Sequence, residues 1–336
     1  LSAMSKAMMM FTGTAVLAAT IGLGTAQAQD YSRLRGAVSI DGSSTVYPIT
    51  EAVAEEFRKV APDVRVTVGI SGTGGGFKRF TVGETDISDA SRPIKAKEYK
   101  AAKENKVDFV EIPVAYDGLS IVVNNENYWV DELTVDDLKK IFLDGSPVKT
   151  WKDVNPSWPD VAVRIYAPGT DSGTFDYFKE VVAGKKGSIR GDMSVSEDDN
   201  VLVRGVSGDQ GGIGFFGCAY YFENKDKLRV VPIVNPKTGK SVEPTTTTIE
   251  NGSYAPFSRP LFIYVSTKSL KKRPVQAFVT FYLEQAAELA EEVGYVRLPE
   301  AIYARASENV KSGRTGTQFI DEQGEKVSGP LPSIYK

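Results

Sequence analysis

The stretch FVEIPVAYDGLSIVVN, Phe109 to Asn124, constrains the fold of this chain more than any other segment. It is extended in character and far longer than an ordinary strand, long enough to cross from one compact lobe to another. A second strongly apolar run, RPLFIYVS, spans Arg259 to Ser266. Helix–strand units precede the first run, lie between the two, and follow the second. The chain is therefore expected to leave one lobe, build another and return. Gly36 to Asp41, Val64 to Ile70, Thr85 to Ala90 and Val161 to Ala167 read as strands. Thr45 to Val60, Gly74 to Val82, Lys95 to Glu104, Val135 to Phe142, Pro274 to Val293 and Pro299 to Asn309 show helical spacing. The predicted class is α/β, two lobes, each a mixed sheet flanked by helices, joined by two hinge strands. Threonines 245 to 248 read as a β-prone structural tract.

Three Ser/Thr/Gly segments each precede a helical run: DGSSTVYP (Asp41 to Pro48), SGTGGGFKRF (Ser71 to Phe80) and GTDSGTFDYF (Gly169 to Phe178). Such a segment offers free backbone N–H groups, hydroxyl donors and the positive end of a helix dipole. One alone is a capped helix: Thr45 or Ser172 would serve as an N-cap, and Gly74 as part of a tight turn. Three together, at strand ends in different lobes, suggest donors converging on one small anion in a cleft.

Composition excludes much else. The chain of 336 residues is 41% hydrophobic and 25% charged, as expected of a globular protein. It contains no histidine, which rules out a Ser-His-Asp triad, a Cys-His dyad and His-ligated metal within this chain. Cys218 is the only cysteine, and its setting GFFGCAYYF favours a packed thiol. No internal disulfide, catalytic residue, metal site or cofactor is expected.

Met8 to Leu23 is apolar, preceded by the single charge Lys6 and followed by Ala26-Gln27-Ala28, the small-x-small pattern of a secretory cleavage site. A transmembrane anchor is disfavoured because the apolar core is short. A lipid anchor is disfavoured because no cysteine follows it. Residues 1–28 are thus expected to be a signal peptide cleaved near Ala28. Without Lys6 there are 39 basic and 43 acidic residues, a balance that argues against a nucleic-acid partner.

Several motif matches carry little weight. Gly212-Ile-Gly-Phe-Phe-Gly217 fits G-x-G-x-x-G, but no clear βαβ unit frames it, and a glycine turn is expected. Ser269-x-x-Lys272 and Lys237-Thr-Gly239 occur in the wrong order for a β-lactamase. Gly72 to Lys78 lacks P-loop spacing, and Lys271-Lys272-Arg273 reads as a solvated helix start.

The ordered set DGSSTVYP, SGTGGGFKRF, ETDISDASRPI and APGTDSGTFDYFKE, with Gly211 to Phe215 later, resembles the periplasmic phosphate-binding proteins of Pst-type ABC transporters. These belong to the two-lobed, type II-like periplasmic binding proteins. The resemblance covers nearly the whole chain after residue 28. It implies lobe I from 29–117 plus 265–336 and lobe II from 118–264. It also implies a periplasmic location, inorganic phosphate as ligand, a membrane ABC permease as partner, and a monomer that closes by a hinge. Binding of sulfate or molybdate is the alternative, and a secreted phosphatase-like enzyme a more distant one.

Carried over residue by residue, the resemblance places phosphate donors at Ser44, Thr45 and Val46, at Thr73 with Gly74, and at Ser172, Gly173 and Thr174. Ser71 is a weaker candidate. Two positions depart from the best-known pattern. Ser91-Arg92-Pro93 stands where that pattern has an aspartate before Ala-Pro, and Pro168 stands where it has an arginine. Arg92 is therefore the expected cation of the site. With Ser91 in the aspartate position, Asp117 in AYDGLS is the expected acceptor of the phosphate proton, and Asp89 the second choice.

Overall fold

The computed structural model describes residues 31–336 except 171, 185 and 197. The expected signal peptide lies outside the described residues. Among the described residues eleven strands are formed: β1 (Gly36–Gly42), β2 (Val64–Ile70), β3 (Ile87–Ala90), β4 (Phe109–Asn124), β5 (Arg164–Ala167), β6 (Ser194–Val195), β7 (Gly212–Gly217), β8 (Leu228–Val230), β9 (Ile233–Val234), β10 (Ser241–Val242) and β11 (Ser258–Ser266). Nine share one sheet in the order β2-β1-β3-β11-β4-β7-β5-β6, with β8 also on β4. β1 runs parallel to β2 and β3, whereas β11 runs antiparallel to β3 and β4.

β4 is buried along its whole length, as a strand covered on both faces must be. It changes partners halfway. Phe109 to Gly118 pair with β11, and Leu119 to Asn124 with β7 and β8. This switch divides the sheet into a first and a second half. Pro113, which has no N–H to give, sits where the β4–β11 register slips, so the ladder loses little there. β11 pairs only with β3 and β4 and lies wholly in the first half. The chain thus re-enters the first half of the sheet at Ser258. Only β4 crosses as a continuous strand.

Helices cover both halves. Tyr47–Val60 buries Ile49, Thr50, Val53, Ala54 and Phe57 along one stripe. Phe57 meets Phe278 of the helix Arg273–Glu292 edge to face at 5.4 Å.

Two sequence expectations are corrected here. GIGFFG is not a turn but β7, buried throughout and central to the second half. Its glycines reflect close packing: a Cβ at Gly214 would lie 2.8 Å from Val206 Cγ2. Threonines 245 to 248 are not a strand. Thr245 Oγ1 accepts from Thr248 N at 3.1 Å and caps the helix Thr246–Glu250, so local capping overrides β-propensity. Lys272 is also less solvated than expected, since its Nζ donates to Asp86 at 2.8 Å.

Two of the carboxyls buried in the first half, Glu111 and Asp89, bear on stability. Glu111 on β4 accepts from Tyr264 Oη (2.8 Å), Thr317 Oγ1 (2.6 Å) and Gln318 N (3.1 Å), tying the C-terminal segment to the hinge strand. Burial pushes it up to about 7, against the donors' pull. Asp89 on β3 lies beneath Thr50 and Tyr282, and neither carboxyl oxygen meets a donor in bonding geometry. Burial, reinforced by Asp41 and opposed by the Thr50 hydroxyl, pushes Asp89 up to about 8. Both folded values lie above those of the unfolded chain, so folding takes up protons. The stability they add is complete at acid pH and is lost as pH rises through the folded values. The loss begins near the unfolded values; both carboxyls contribute up to about pH 7, and the step from pH 7 to 8 belongs mainly to Asp89. Urea titrations should show the parent losing up to about 1.4 kcal/mol over that unit. Asp89→Asn should be flat there and more stable than the parent at pH 8. An equal loss in both proteins would show that Asp89 ionises freely.

Candidate functional site

All three Ser/Thr/Gly segments sit at the carboxyl ends of strands. The first follows β1 and the second β2, in the first half; the third follows β5, in the second half. Gly42 makes the first turn possible. It has φ of 150°, and a Cβ there would lie 2.2 Å from the Asp89 carbonyl oxygen. The helices Tyr47–Val60 and Gly72–Phe80 that follow have no side-chain cap among the described residues. In Tyr47–Val60 the first turn is nevertheless taken, since Tyr47 N donates to Ser43 O and Ile49 N to Val46 O, both at 3.0 Å, and Pro48 has no N–H; in Gly72–Phe80 the N–H groups of Gly72, Thr73 and Gly74 meet no acceptor among the described residues, which suits an anion. Thr45 is not a cap; its own N–H donates to Ser43 Oγ at 3.2 Å. Ser172 is a cap, accepting from Thr174 N at 3.2 Å and Phe175 N at 3.5 Å.

The two halves meet at these segments. Ser44 Oγ donates to Asp176 Oδ2 at 3.3 Å. Gly173 lies so close to the opposite wall that a Cβ would stand 2.6 Å from Thr45 Cα. The third segment's glycine therefore permits contact between walls, where the sequence suggested an approach to the ion alone. Val46 is fully buried behind Thr45. Thr73 Oγ1 accepts from Ser91 N at 3.1 Å and shares a second bond with Ser91 Oγ at 3.1 Å, joining the second segment to the end of β3. A cavity of about 1030 Å³ opens beside these contacts, bordered by Ser44, Thr45, Thr73, Gly74, Ser91 and Arg92 on one wall and by Asp176 on the other.

The charges are arranged differently from the sequence expectation. Arg92 borders the cavity, but its fork is taken by Glu98, with bonds of 2.8 and 2.7 Å, and it lies over the Phe77 ring. Arg259, which the sequence analysis did not single out, occupies the junction of the halves. Its guanidinium bonds Asp117 Oδ2 at 3.1 Å and Thr45 Oγ1 at 3.2 Å. It also approaches Glu180 at 3.7 Å and stacks 3.7 Å from the centroid of the Tyr177 ring. Asp117 and Arg259 are direct partners in the β4–β11 ladder, which fixes their pairing through the backbone. Asp117 is 1% exposed and Arg259 16%. Burial raises the Asp117 carboxyl above its ordinary range, and Arg259 pulls it back only in part. Asp89 is buried under the Tyr47–Val60 helix; neither it nor Asp117, which lies behind Arg259, is among the cavity-lining residues.

The arrangement offers the uncapped N-terminus of Gly72–Phe80, hydroxyls and one guanidinium to a small oxyanion, with a carboxyl held behind the guanidinium. Comparison with known proteins points the same way. A profile of the PBP superfamily domain matches residues 24–286. Protein SphX of Synechococcus elongatus is 50% identical over 92% of this chain and 90% of its own length. The phosphate-binding protein PstS of Staphylococcus epidermidis is 42% identical over 94% of this chain and 97% of its own. Among solved structures, a possible phosphate binding protein from Planctomyces limnophilus superposes with a TM-score of 0.80 at 44% identity, covering 83% of this chain and 99% of the other. With the mixed, two-half sheet and its interlobe cleft, these matches establish that the chain belongs to the PBP superfamily and, within it, to the Pst-type periplasmic phosphate-binding proteins.

Proposed function

We propose that the chain binds inorganic phosphate between its two halves and delivers it, as a periplasmic monomer released by cleavage near Ala28, to a membrane ABC permease. The carrying observation is that Arg259 borders one cavity with the first two donor segments and is bonded to Thr45, while Tyr177 at the end of the third segment covers its guanidinium. The named relatives support the reading, as does a putative phosphate transporter protein with bound phosphate from Clostridium perfringens, 27% identical with a TM-score of 0.52. The family is one of substrate-binding proteins, and we assign the chain no catalytic role. Lobe I comprises the first half with the C-terminal helices, and lobe II the segment after Gly118 up to the start of β11.

In this reading the Ser44–Val46 turn, the first-turn N–H groups of the helix Gly72–Phe80, the hydroxyls of Ser44, Thr45 and Thr73, and the Ser172–Thr174 turn surround the ion. Arg259 supplies the positive charge. Asp117 holds one edge of that guanidinium and accepts the proton that phosphate, unlike sulfate, retains at neutral pH. Contacts from both walls favour the closed form once the ion is present. Arg92, occupied by Glu98, shapes the wall of the cavity.

Calorimetric titration with phosphate tests the assignment of charge. A charge-assisted hydrogen bond contributes about 1.5–3 kcal/mol, so Arg259→Ala should weaken binding by roughly 10- to 100-fold or more, and Arg92→Ala by far less. The reverse order would return Arg92 to the centre of the site. Asp117→Asn should narrow the ratio of phosphate to sulfate affinity. Using that ratio cancels the stability lost when a buried partner of Arg259 is neutralised. Unchanged discrimination would remove Asp117 as the acceptor. Finally, Gly173→Val should cost more phosphate affinity than Ser172→Ala, because it forces the Thr45 backbone away, whereas Ser172→Ala removes a cap worth about 1 kcal/mol. Small-angle scattering should show the parent compacting on phosphate and the valine variant failing to do so.

A further inference from the structure

The cleft has two mouths, and they differ in charge. Ser44, Gly72 and Asp176 border both. The wider mouth, about 1030 Å³, carries Lys78, Lys95, Lys97 and Lys179 besides the two arginines, against Glu98, Asp176 and Glu180. The narrower, about 780 Å³, has Asp176 and Asp199 but no lysine or arginine among the described residues. Arg92 and Arg259 are committed to carboxylates. Lys78, Lys97 and Lys179 make no ion pair among the described residues. They come from three helices, Gly72–Phe80 and Ala96–Glu104 on one wall and Gly173–Val182 on the other. The whole chain carries a formal charge of −3, so an approaching anion meets a repulsive far field. The wide mouth reverses that sign locally.

We propose that Lys78, Lys97 and Lys179 form an outer anion-collecting site, through which phosphate enters by the wide mouth and which sets the rate of capture rather than the affinity of the closed state. The inference rests on the phosphate reading above. A cleft lined by charge of one sign, with low-dielectric walls, raises association rates by about 10- to 1,000-fold, and the gain falls steeply with ionic strength. At about 0.1 M salt the Debye length is about 10 Å, so these solvent-facing or half-buried lysines act only on an ion already at the mouth. Their attraction serves phosphate and sulfate alike. Discrimination therefore belongs to the inner site, and the two tasks separate in kinetics.

The test compares the parent with the triple variant Lys78→Gln, Lys97→Gln, Lys179→Gln. A charge-matched control carries Lys152→Gln, Lys268→Gln and Lys311→Gln, positions that border none of the cavities described here. Equilibrium dialysis of radiolabelled inorganic phosphate gives Kd, a rapid-filtration chase gives koff, and their quotient gives kon. At about 10 mM salt the triple variant should lose about fivefold or more in kon with koff within about twofold, and it should converge on the parent by about 500 mM. The control should behave as the parent. A loss carried by koff would place the lysines in the holding site and overturn the proposal. An equal loss in the control would reduce the effect to net charge and overturn it too. A parent that binds no phosphate at any salt would overturn the functional reading first and this inference with it.

Discussion

The antiparallel pairing of β4 with β11 sets the position of everything in the cleft. It brings Asp117 opposite Arg259, at the point where β4 gives up one sheet partner and takes another. A buried ion pair is costly to desolvate and stabilises little by itself. Here its value is positional. Asp117 is fixed by a strand buried on both faces, and through it a mobile side chain is pinned toward Thr45 on the wall of the first half. Tyr177, on the helix from the other half, covers the guanidinium face. One charge is thus referenced to both halves at once, and any rotation of one half against the other is felt there.

The donors around that charge depend on what the sequence omits. Helices that follow Ser/Thr-rich turns ordinarily spend their hydroxyls on their own first turns. At Tyr47 and Gly72 they do not: Ser43 Oγ accepts from Thr45 N within its own turn, and Thr73 and Ser91 bond each other. The hydroxyls hold the loops in shape, and at Gly72–Phe80 the first-turn N–H groups are left to the cleft. The third segment is built the other way, with Ser172 closing its own turn, so its contribution lies in shape and in the close approach of Gly173.

Much of this was legible in the residues. β4 was read with its observed bounds, and β2 and the helix Val135–Phe142 likewise, because their periodicities are unbroken. The three segments were found because their chemistry is local. What escaped was non-local. Arg259 opens an apolar strand beside a proline and resembles an edge charge; only the ladder register shows that it faces Asp117. Arg92 looked free because Glu98 lies on the next helix, where sequence gives no hint of a fork-to-fork geometry. β7 was taken for a turn because its glycines speak for flexibility, whereas they are there to admit Val206 and Tyr166.

The chain order around β4 also governs assembly. The slot between β3 and β4 is filled by β11, which follows the entire second half in sequence. Until that strand arrives, the facing edges of β3 and β4 in the first half have no partner between them, while the second half already has β4, β5 and β7 in hand. Such a high-separation pairing must await closure of a long loop, which makes it slow. The second half can therefore fold as a local unit and the first cannot, so the site is completed only in the last step of folding, when β11 docks and carries Arg259 into place.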